Sequence, residues 1–282
     1  MTTVQKIEKY LAVFLKYLSL VVMTFIAVIP VVSCVITAMK PDEEYGATNV
    51  MTLPQNWLYF GNFTEAWKLA DMPRAFMNTA IILVFVLFFS VMFGTMLAYI
   101  LDRFKFPGNN LIRSLYLFAA LIPNVAMQVS LYKMMYTAGL INSLPGYILI
   151  TCGTDVISIY IFLQFFENLP VSLDESAIMD GANYFQIFFK ILFPLLKPAI
   201  VTVIILKSVS TYNEYYNANL YLQNKTLYRT VSTSLYTFVG PLGNRYNLIC
   251  AGLLITLLPM FIAFVLFQKQ IYSGLTSGAV KG

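Results

Sequence analysis

Two charges stand out because of where they sit. Asp155 and Lys207 lie inside otherwise uncharged apolar stretches of this 282-residue chain. A charge at the centre of a bilayer costs about 2.5–3.5 kcal/mol on insertion scales, so both should face protein or water. They can pair with each other across neighbouring helices, or Lys207 can snorkel to an interface and the two stay apart; the functional alternative puts one or both on a polar pathway or at a gate. A second concentration of acid, Glu167, Asp174, Glu175 and Asp180, falls on one short polar loop. Other chemistry is excluded by residue type. There is no histidine, and Cys34, Cys152 and Cys250 are widely spaced in separate apolar runs. That spacing fits neither a zinc site nor a Cys-x-x-Cys redox pair. Serine–histidine and cysteine–histidine catalysis are therefore unavailable to this chain. No G-x-x-x-x-G-K-[ST] phosphate loop occurs. Any ATP hydrolysis that this chain depends on would belong to another polypeptide, and neither metal nor cofactor is expected in this one.

The elements that must position those charges are membrane helices. The chain is 59% hydrophobic, 16% aromatic and only 11% charged, with a mean hydropathy of +0.73. A soluble domain carries about 25% charged residues, so lipid must be the solvent for much of this surface. A hydrocarbon core about 30 Å thick needs roughly 20 apolar residues of helix. Reading between charges gives six spans: Lys16 to Lys40, Arg74 to Asp102, Arg113 to Lys133, Leu144 to Glu167, Pro194 to Tyr212, and Arg245 to Lys269. Asp155 falls in the fourth and Lys207 in the fifth. The first span is too long for a secretory signal and lacks a small-residue cleavage site, so it reads as a retained helix. The fold class is all-α, a polytopic membrane protein, with residues 1–282 as a single transmembrane domain. Two loops are long enough for structure of their own, about 40–74 and about 215–246, and the second is expected to hold a short helix.

Orientation follows from Lys and Arg near the ends of the spans. Lys6, Lys9 and Lys16 precede the first; Arg103, Lys105 and Arg113 crowd the loop between the second and third; Lys269 and Lys281 follow the last. One six-span arrangement puts all of these, and both termini, in the cytoplasm. It also puts the acidic loop there, although Lys225, Arg229 and Arg245 then fall outside.

That loop, about residues 168–194, has local order written into it. Pro170 ends the preceding helix. Ser172 followed by Glu175 has the spacing of a capping box, and Asp174 and Glu175 suit the positive end of a helix dipole. Gly181 suits a C-terminal cap. Residues 173–180 therefore read as a helix about 12 Å long, and Asn183 with Gln186 supplies a cap for the next one. The small side chains of Ser176 and Ala177 would allow close approach by another protein. The plain alternative is a surface helix that only joins two spans.

Glu175-Ser176-Ala177, three residues, Gly181, nine residues, Ile191-Leu192-Phe193-Pro194 resembles the EAA loop of ABC importer permeases, E-A-A, three residues, G, nine residues, I-x-L-P. The spacing is the same; Ser176 stands for an alanine and Phe193 for a leucine. Further segments resemble the carbohydrate branch, specifically the second permease of maltose-type systems. They are Phe76-Met77-Asn78-Thr79, the run Ala98 to Phe104, Leu121-Ile122-Pro123, Tyr212-Asn213-Glu214-Tyr215, and the tail Gly274 to Gly282. The resemblance implies a type I ABC importer permease fold in a bacterial cytoplasmic membrane. It implies a pore-forming subunit that imports sugars or oligosaccharides. Its partners would be a second homologous permease, two copies of a cytosolic ABC ATPase that binds ATP and Mg, and an extracellular solute-binding protein. It makes the loop a coupling helix, with Glu175, Ser176, Ala177, Asp180, Gly181, Ile191 and Pro194 as its contact and framework residues. The tail would pack against the ATPase.

Tyr212, Asn213, Glu214, Tyr215 and Tyr216 form a polar–aromatic cluster at the outer end of the fifth span, suited to stacking on and hydrogen bonding to sugars. Most other aromatics will pack or sit at interfaces. Two other readings compete. A stand-alone secondary transporter would be expected to show internal repeats and several intramembrane carboxylates, and the chain has one such Asp and no repeat. An ABC permease for a non-sugar solute would not carry these particular tail and second-span segments.

Overall fold

A bilayer core offers no water to satisfy backbone N–H and C=O groups, so apolar runs that cross it must be helical. The computed structural model describes residues 3–153, 155–240 and 243–279, with side chains described over 9–123, 125–153, 155–240 and 244–270. In chain order the helices are α1 (Thr3–Ala38), α2 (Asp42–Ala47), α3 (Gly61–Leu69), α4 (Met72–Arg103), α5 (Asn109–Leu121), α6 (Asn124–Thr137), α7 (Leu144–Thr151), α8 (Val156–Glu167), α9 (Ser172–Met179), α10 (Tyr184–Gln186), α11 (Phe193–Leu195), α12 (Lys197–Asn213), α13 (Tyr216–Tyr221), α14 (Val231–Ser234) and α15 (Tyr246–Ala279). A π-helical stretch, Ile187–Leu192, joins α10 to α11. A two-residue ladder, β1 (Val239–Gly240) with β2 (Gly243–Asn244), pairs antiparallel in the register Val239 to Asn244.

The six expected spans are present, but only three are single helices. Lys9–Ala38, Met72–Arg103 and Tyr246–Gln270 are each long and apolar enough to cross a membrane. The other three are bent pairs: α5 with α6 at 104°, α7 with α8 at 50°, and Tyr184–Leu195 with α12 at 72°. Six spans result when each bent pair counts as one. Proline explains two of the bends. Pro123 caps α6 with extended backbone, and Pro198 opens α12, where a missing N–H does no harm. The third bend changes the reading of Asp155. It does not lie inside a continuous helix: it is the N-cap of α8, just past the break that follows α7.

The chain forms two compact units, Met1–Met72 with Leu235–Met260, and Pro73–Ser234 with Phe261–Gly282. In the first, the connection 40–74 is folded by polar contacts. Arg245 binds Asp42 and Glu65, Asn247 donates to Asp42 Oδ1 at 2.6 Å, and Asn62 donates to the carbonyls of Ala38 and Lys40. Hydrogen bonding to Glu65 is the main reason that the Arg245 pKa is raised, with Asp42 adding to it. Lys40 is fully buried without a carboxylate; its ammonium donates to Asn49 O at 2.8 Å and Thr48 Oγ1 at 3.1 Å. Cys34 and Cys250, remote in sequence, are both free.

In the second unit, a core of Tyr99, Ile159, Phe162, Phe166, Phe188 and Leu192 ties α4, α8, α9, the π-helical stretch and α12 together. Ala98, Ala177 and Ala199 are buried in it. Lipid is as apolar as these side chains, so close packing over small residues, rather than flight from water, holds such helices together. At the far end of α4, Asn78 donates to the carbonyls of Leu227 and Arg229, and Thr79 accepts from Val231 N–H. The stretch expected to hold one short outer helix holds α13, α14, a 3₁₀ turn over Leu235–Phe238 and the small ladder. Nearby, the Lys225 pKa is lowered, by burial first and by Arg229 second. The tail from Gly274 continues α15 as backbone to Ala279; Val280, Lys281 and Gly282 lie outside the described residues.

Candidate functional site

The acidic loop folds as a helix, with different caps from those its sequence suggests. α9 spans Ser172–Met179, its N-cap is Val171, and no side chain caps it. Ser172 and Glu175 thus do not form a capping box. Ser172 lies in the first turn, where its carbonyl accepts from Ser176 Oγ at 2.7 Å. The C-terminal end is as expected. Gly181 has φ +83°, its N–H bonds Ile178 O at 3.0 Å, and Ala182 N–H bonds Ala177 O at 2.9 Å, the double closure of a Schellman turn. A Cβ at Gly181 would meet nothing within 4 Å, so glycine is favoured by the left-handed backbone and not by close approach. Asn183 and Gln186 form the reciprocal capping box expected of them.

One face of α9 belongs to the protein itself. Ala177 and Asp174 are 6% and 7% exposed, so Ala177 packs inside its own chain and is not free for a partner. Arg103, from the end of α4, reaches Asp174 Oδ2 through Nε at 3.1 Å, Asp102 Oδ2 at 2.6 Å and Leu169 O at 2.9 Å. Its side chain is 8% exposed. Arg113, on α5, adds an ion pair to Glu167 at 3.2 Å and a bond to Leu101 O. Asp174 Oδ1 is buried without a hydrogen-bond partner. The opposite face carries Glu175 and Ser176 with Ile178 and Met179, all exposed. Asp180 is exposed at the C-cap, Ile191 is half-buried in the π-helical stretch, and Pro194 is exposed in α11. Sequence reasoning overlooked Arg103 and Met179. Arg103 was legible as a charge beside an aromatic segment, but its target, Asp174, is 71 residues away.

Asp155 and Lys207 do pair, at 3.2 Å. Asp155 also accepts from the N–H and hydroxyl of Ser158. The pair lies in a polar cleft of about 380 Å³, lined among others by Gln128, Ser210, Glu214 and Asn217. Gln128 Nε2 donates to Asn217 Oδ1 at 3.0 Å and Gln128 Oε1 accepts from Tyr221 OH. Glu214 accepts from Asn217 N–H at 2.9 Å. The predicted aromatic cluster is split. Tyr212 is buried, Asn213 and Tyr216 are exposed, Tyr215 is half-buried, and of the five only Glu214 lines the cleft. Cys152 stands alone at the α7 end, donating to Leu149 O.

Residues 90–275 match the family described as binding-protein-dependent transport system inner membrane component. The chain belongs to that family. It is therefore a multi-pass permease component of a transport system. It is similar to the melibiose/raffinose/stachyose import permease protein MelC of Bacillus subtilis (strain 168), 33% identical over 90% of this chain and 91% of that one. The arabinooligosaccharides transport system permease protein AraQ of the same organism is 31% identical over 90% of each. The probable starch degradation products permease AmyC of Thermoanaerobacterium thermosulfurigenes is 29% identical over 98% of each. In fold, the permease resembles a chain of a bacterial ABC transporter involved in import of the acidic polysaccharide alginate. The TM-score is 0.80 at 22% identity, covering 95% of this chain and 98% of that one. That likeness establishes the ABC importer permease fold.

Proposed function

We propose that this permease is a pore-forming subunit of an ATP-driven importer for sugars or oligosaccharides, and that α9 is its coupling helix. The observation that carries the coupling role is the two-sidedness of α9: one face is fixed to α4 by buried charge, and the other presents Glu175, Ser176, Ile178 and Met179. A chain without a phosphate loop must receive work through a non-covalent contact. A short helix locked to the membrane core on one side and free on the other can transmit it. Glu175 meets the ATPase, Gly181 sets the turn, and Ala177, Ile191 and Pro194 frame the helix from behind. The sugar class rests on the names of the relatives, which are similar along nearly the whole chain. The partners are a second permease, two cytosolic ATPase subunits holding ATP and Mg, and an extracellular binding protein. The α9 end and both termini face the cytoplasm, in keeping with Lys9, Lys16, Arg103, Lys105, Arg113 and Lys269 near those ends of the spans.

The test is reconstitution in proteoliposomes. This chain alone should hydrolyse no ATP, and the assembled complex should do so when liganded binding protein is added. Glu175→Lys puts a positive charge at the positive end of α9 and reverses its ionic contact. It should insert normally but lose ATPase attachment or the link between hydrolysis and uptake. Wild-type transport by Glu175→Lys together with Gly181→Val would reduce α9 to a linker.

A further inference from the structure

Helix breaks at membrane depth are tolerated only where the freed backbone is buried in protein or lines a water-filled cavity. The break between α7 and α8 is not buried: Gly153 is exposed and the Asp155 side chain is 40% exposed. Counting from Glu167 at the end of α8, Asp155 stands about 18 Å into the span, well inside a hydrocarbon core about 30 Å thick. Lys207 is a similar distance along α12 from the bend at Leu196. The cleft at this break is therefore a wet chamber at depth, and it lies within one compact unit of this chain.

Its chemistry selects a solute class. Asp155 and Lys207 neutralise each other at 3.2 Å, and Gln128 and Asn217 satisfy each other at 3.0 Å. Each is a donor facing an acceptor. A hydroxyl group, donor and acceptor at once, can insert into either pair. Its O–H donates to Asp155 or to the Asn217 oxygen, and its oxygen accepts from Lys207 or from the Gln128 amide. Water can do the same, so a solute hydroxyl there takes the place of a water molecule. Glu214 gives the lining two carboxylates to one ammonium, which repels anions. No aromatic ring lines the cleft, so the contact is by exchange of hydrogen bonds, which suits passage more than retention.

We propose that this subunit itself carries a solute station, in which neutral polyhydroxylated solutes insert into the Asp155–Lys207 and Gln128–Asn217 pairs. This rests on the permease reading above.

The experiment uses the assembled importer in proteoliposomes, with Cys34, Cys152 and Cys250 replaced by Ala. Ser210→Cys in the cleft and Ala199→Cys in the dry core are labelled with three methanethiosulfonates: neutral hydroxyethyl, anionic sulfonatoethyl and cationic trimethylammonioethyl. Rates are corrected for reactivity with a free thiol. The hydroxyethyl reagent should modify Ser210→Cys at least tenfold faster than Ala199→Cys, and faster than the anionic reagent. Raffinose or maltotriose with binding protein should slow that labelling at least threefold. Asn217→Ala and Gln128→Ala should raise the KM for uptake of the transported sugar about tenfold. Labelling of Ser210→Cys no faster than of Ala199→Cys overturns the station, and so does fastest labelling by the anionic reagent. Transport of either sugar with no protection and an unchanged KM overturns it too, while leaving the permease reading intact. If wild type imports neither sugar, neither of the two is its solute. The order of labelling then still decides the station.

Discussion

Two acid–base pairs in this permease use nearly the same geometry in opposite surroundings. Arg103 and Asp174 meet at 3.1 Å with side chains 8% and 10% exposed; Lys207 and Asp155 meet at 3.2 Å with side chains 13% and 40% exposed. The first pair is dry and multiply bonded, with Asp102 and Leu169 O completing the guanidinium. The second stands in the open cleft proposed above to be wet. Breaking a dry pair strands a charge where water cannot reach it, whereas water can take either role in the cleft. The dry pair is therefore suited to holding α9 in place, and the wet pair to exchanging partners. Residue identity matters too. Arg can serve three acceptors at once from a planar fork, while Lys offers a compact point charge.

Removing the dry clamp should have the largest effect. Arg103→Ala should destabilise the protein by about 3–5 kcal/mol, because Asp174 is left buried and unpaired. It should also abolish coupled uptake, read as thermal melting of the solubilised complex and as sugar transported per ATP hydrolysed. Arg103→Lys keeps the charge and loses the fork, so it should recover part of the stability. Arg103→Ala that melts and couples like wild type would erase the contrast between the two pairs.

The wet pair should give a smaller, separable response. Asp155→Ala removes both an N-cap, worth about 1 kcal/mol, and the ion pair, worth at most about 1 kcal/mol at this exposure. Asp155→Asn keeps an N-cap oxygen and loses only the charge. A double-mutant cycle with Lys207→Ala should give a coupling energy below that of the Arg103–Asp174 cycle. Equal couplings would mean that the cleft is as dry as the clamp.

The helix ends sharpen the comparison further. Gly181→Ala forces a Cβ into a left-handed conformation, at a cost of about 1–2 kcal/mol, and Gly181→Asn should cost less. The smallest effects separate two cap sequences that look alike on paper. Asn183→Ala should cost about 1 kcal/mol, whereas the cap-spaced Ser172→Ala should stay within about 0.5 kcal/mol. Melting temperatures of the four variants in one detergent would rank them, and a larger loss at Ser172 than at Asn183 would contradict the observed caps.

Ser172 and Asn183 also show where a sequence stops being sufficient. Both begin the pattern of a capping box, but the chain enters α9 tightly from Pro170 and Val171, with Asp174 N–H and Glu175 N–H both bonding Val171 O. That turn leaves no orphan donor for Ser172 to serve. Asn183 stands two residues after the left-handed Gly181 and has the extended backbone, φ −82° and ψ 165°, that a cap needs. In the same way, Tyr212 to Tyr216 formed one cluster by sequence. The end of α12 at Asn213 and the start of α13 at Tyr216 turned its members to different sides.

By itself, the sequence determined what depends on the solvent and on short range. Apolar length bounded by charge sets the spans, because a bilayer has a fixed thickness. The absence of histidine and of a phosphate loop sets what the chain cannot catalyse. Gly181 and the Asn183–Gln186 pair set local turns that need no distant partner, and opposite charges in adjacent spans made an ion pair possible. Only the tertiary structure decided which spans break, that Ala177 faces inward, that Arg103 holds Asp174, and that Gln128 and Asn217 meet beside the ion pair. Those outcomes depend on contacts between residues tens of positions apart. Packing against neighbours fixes which face of a helix is buried, and no local pattern encodes it.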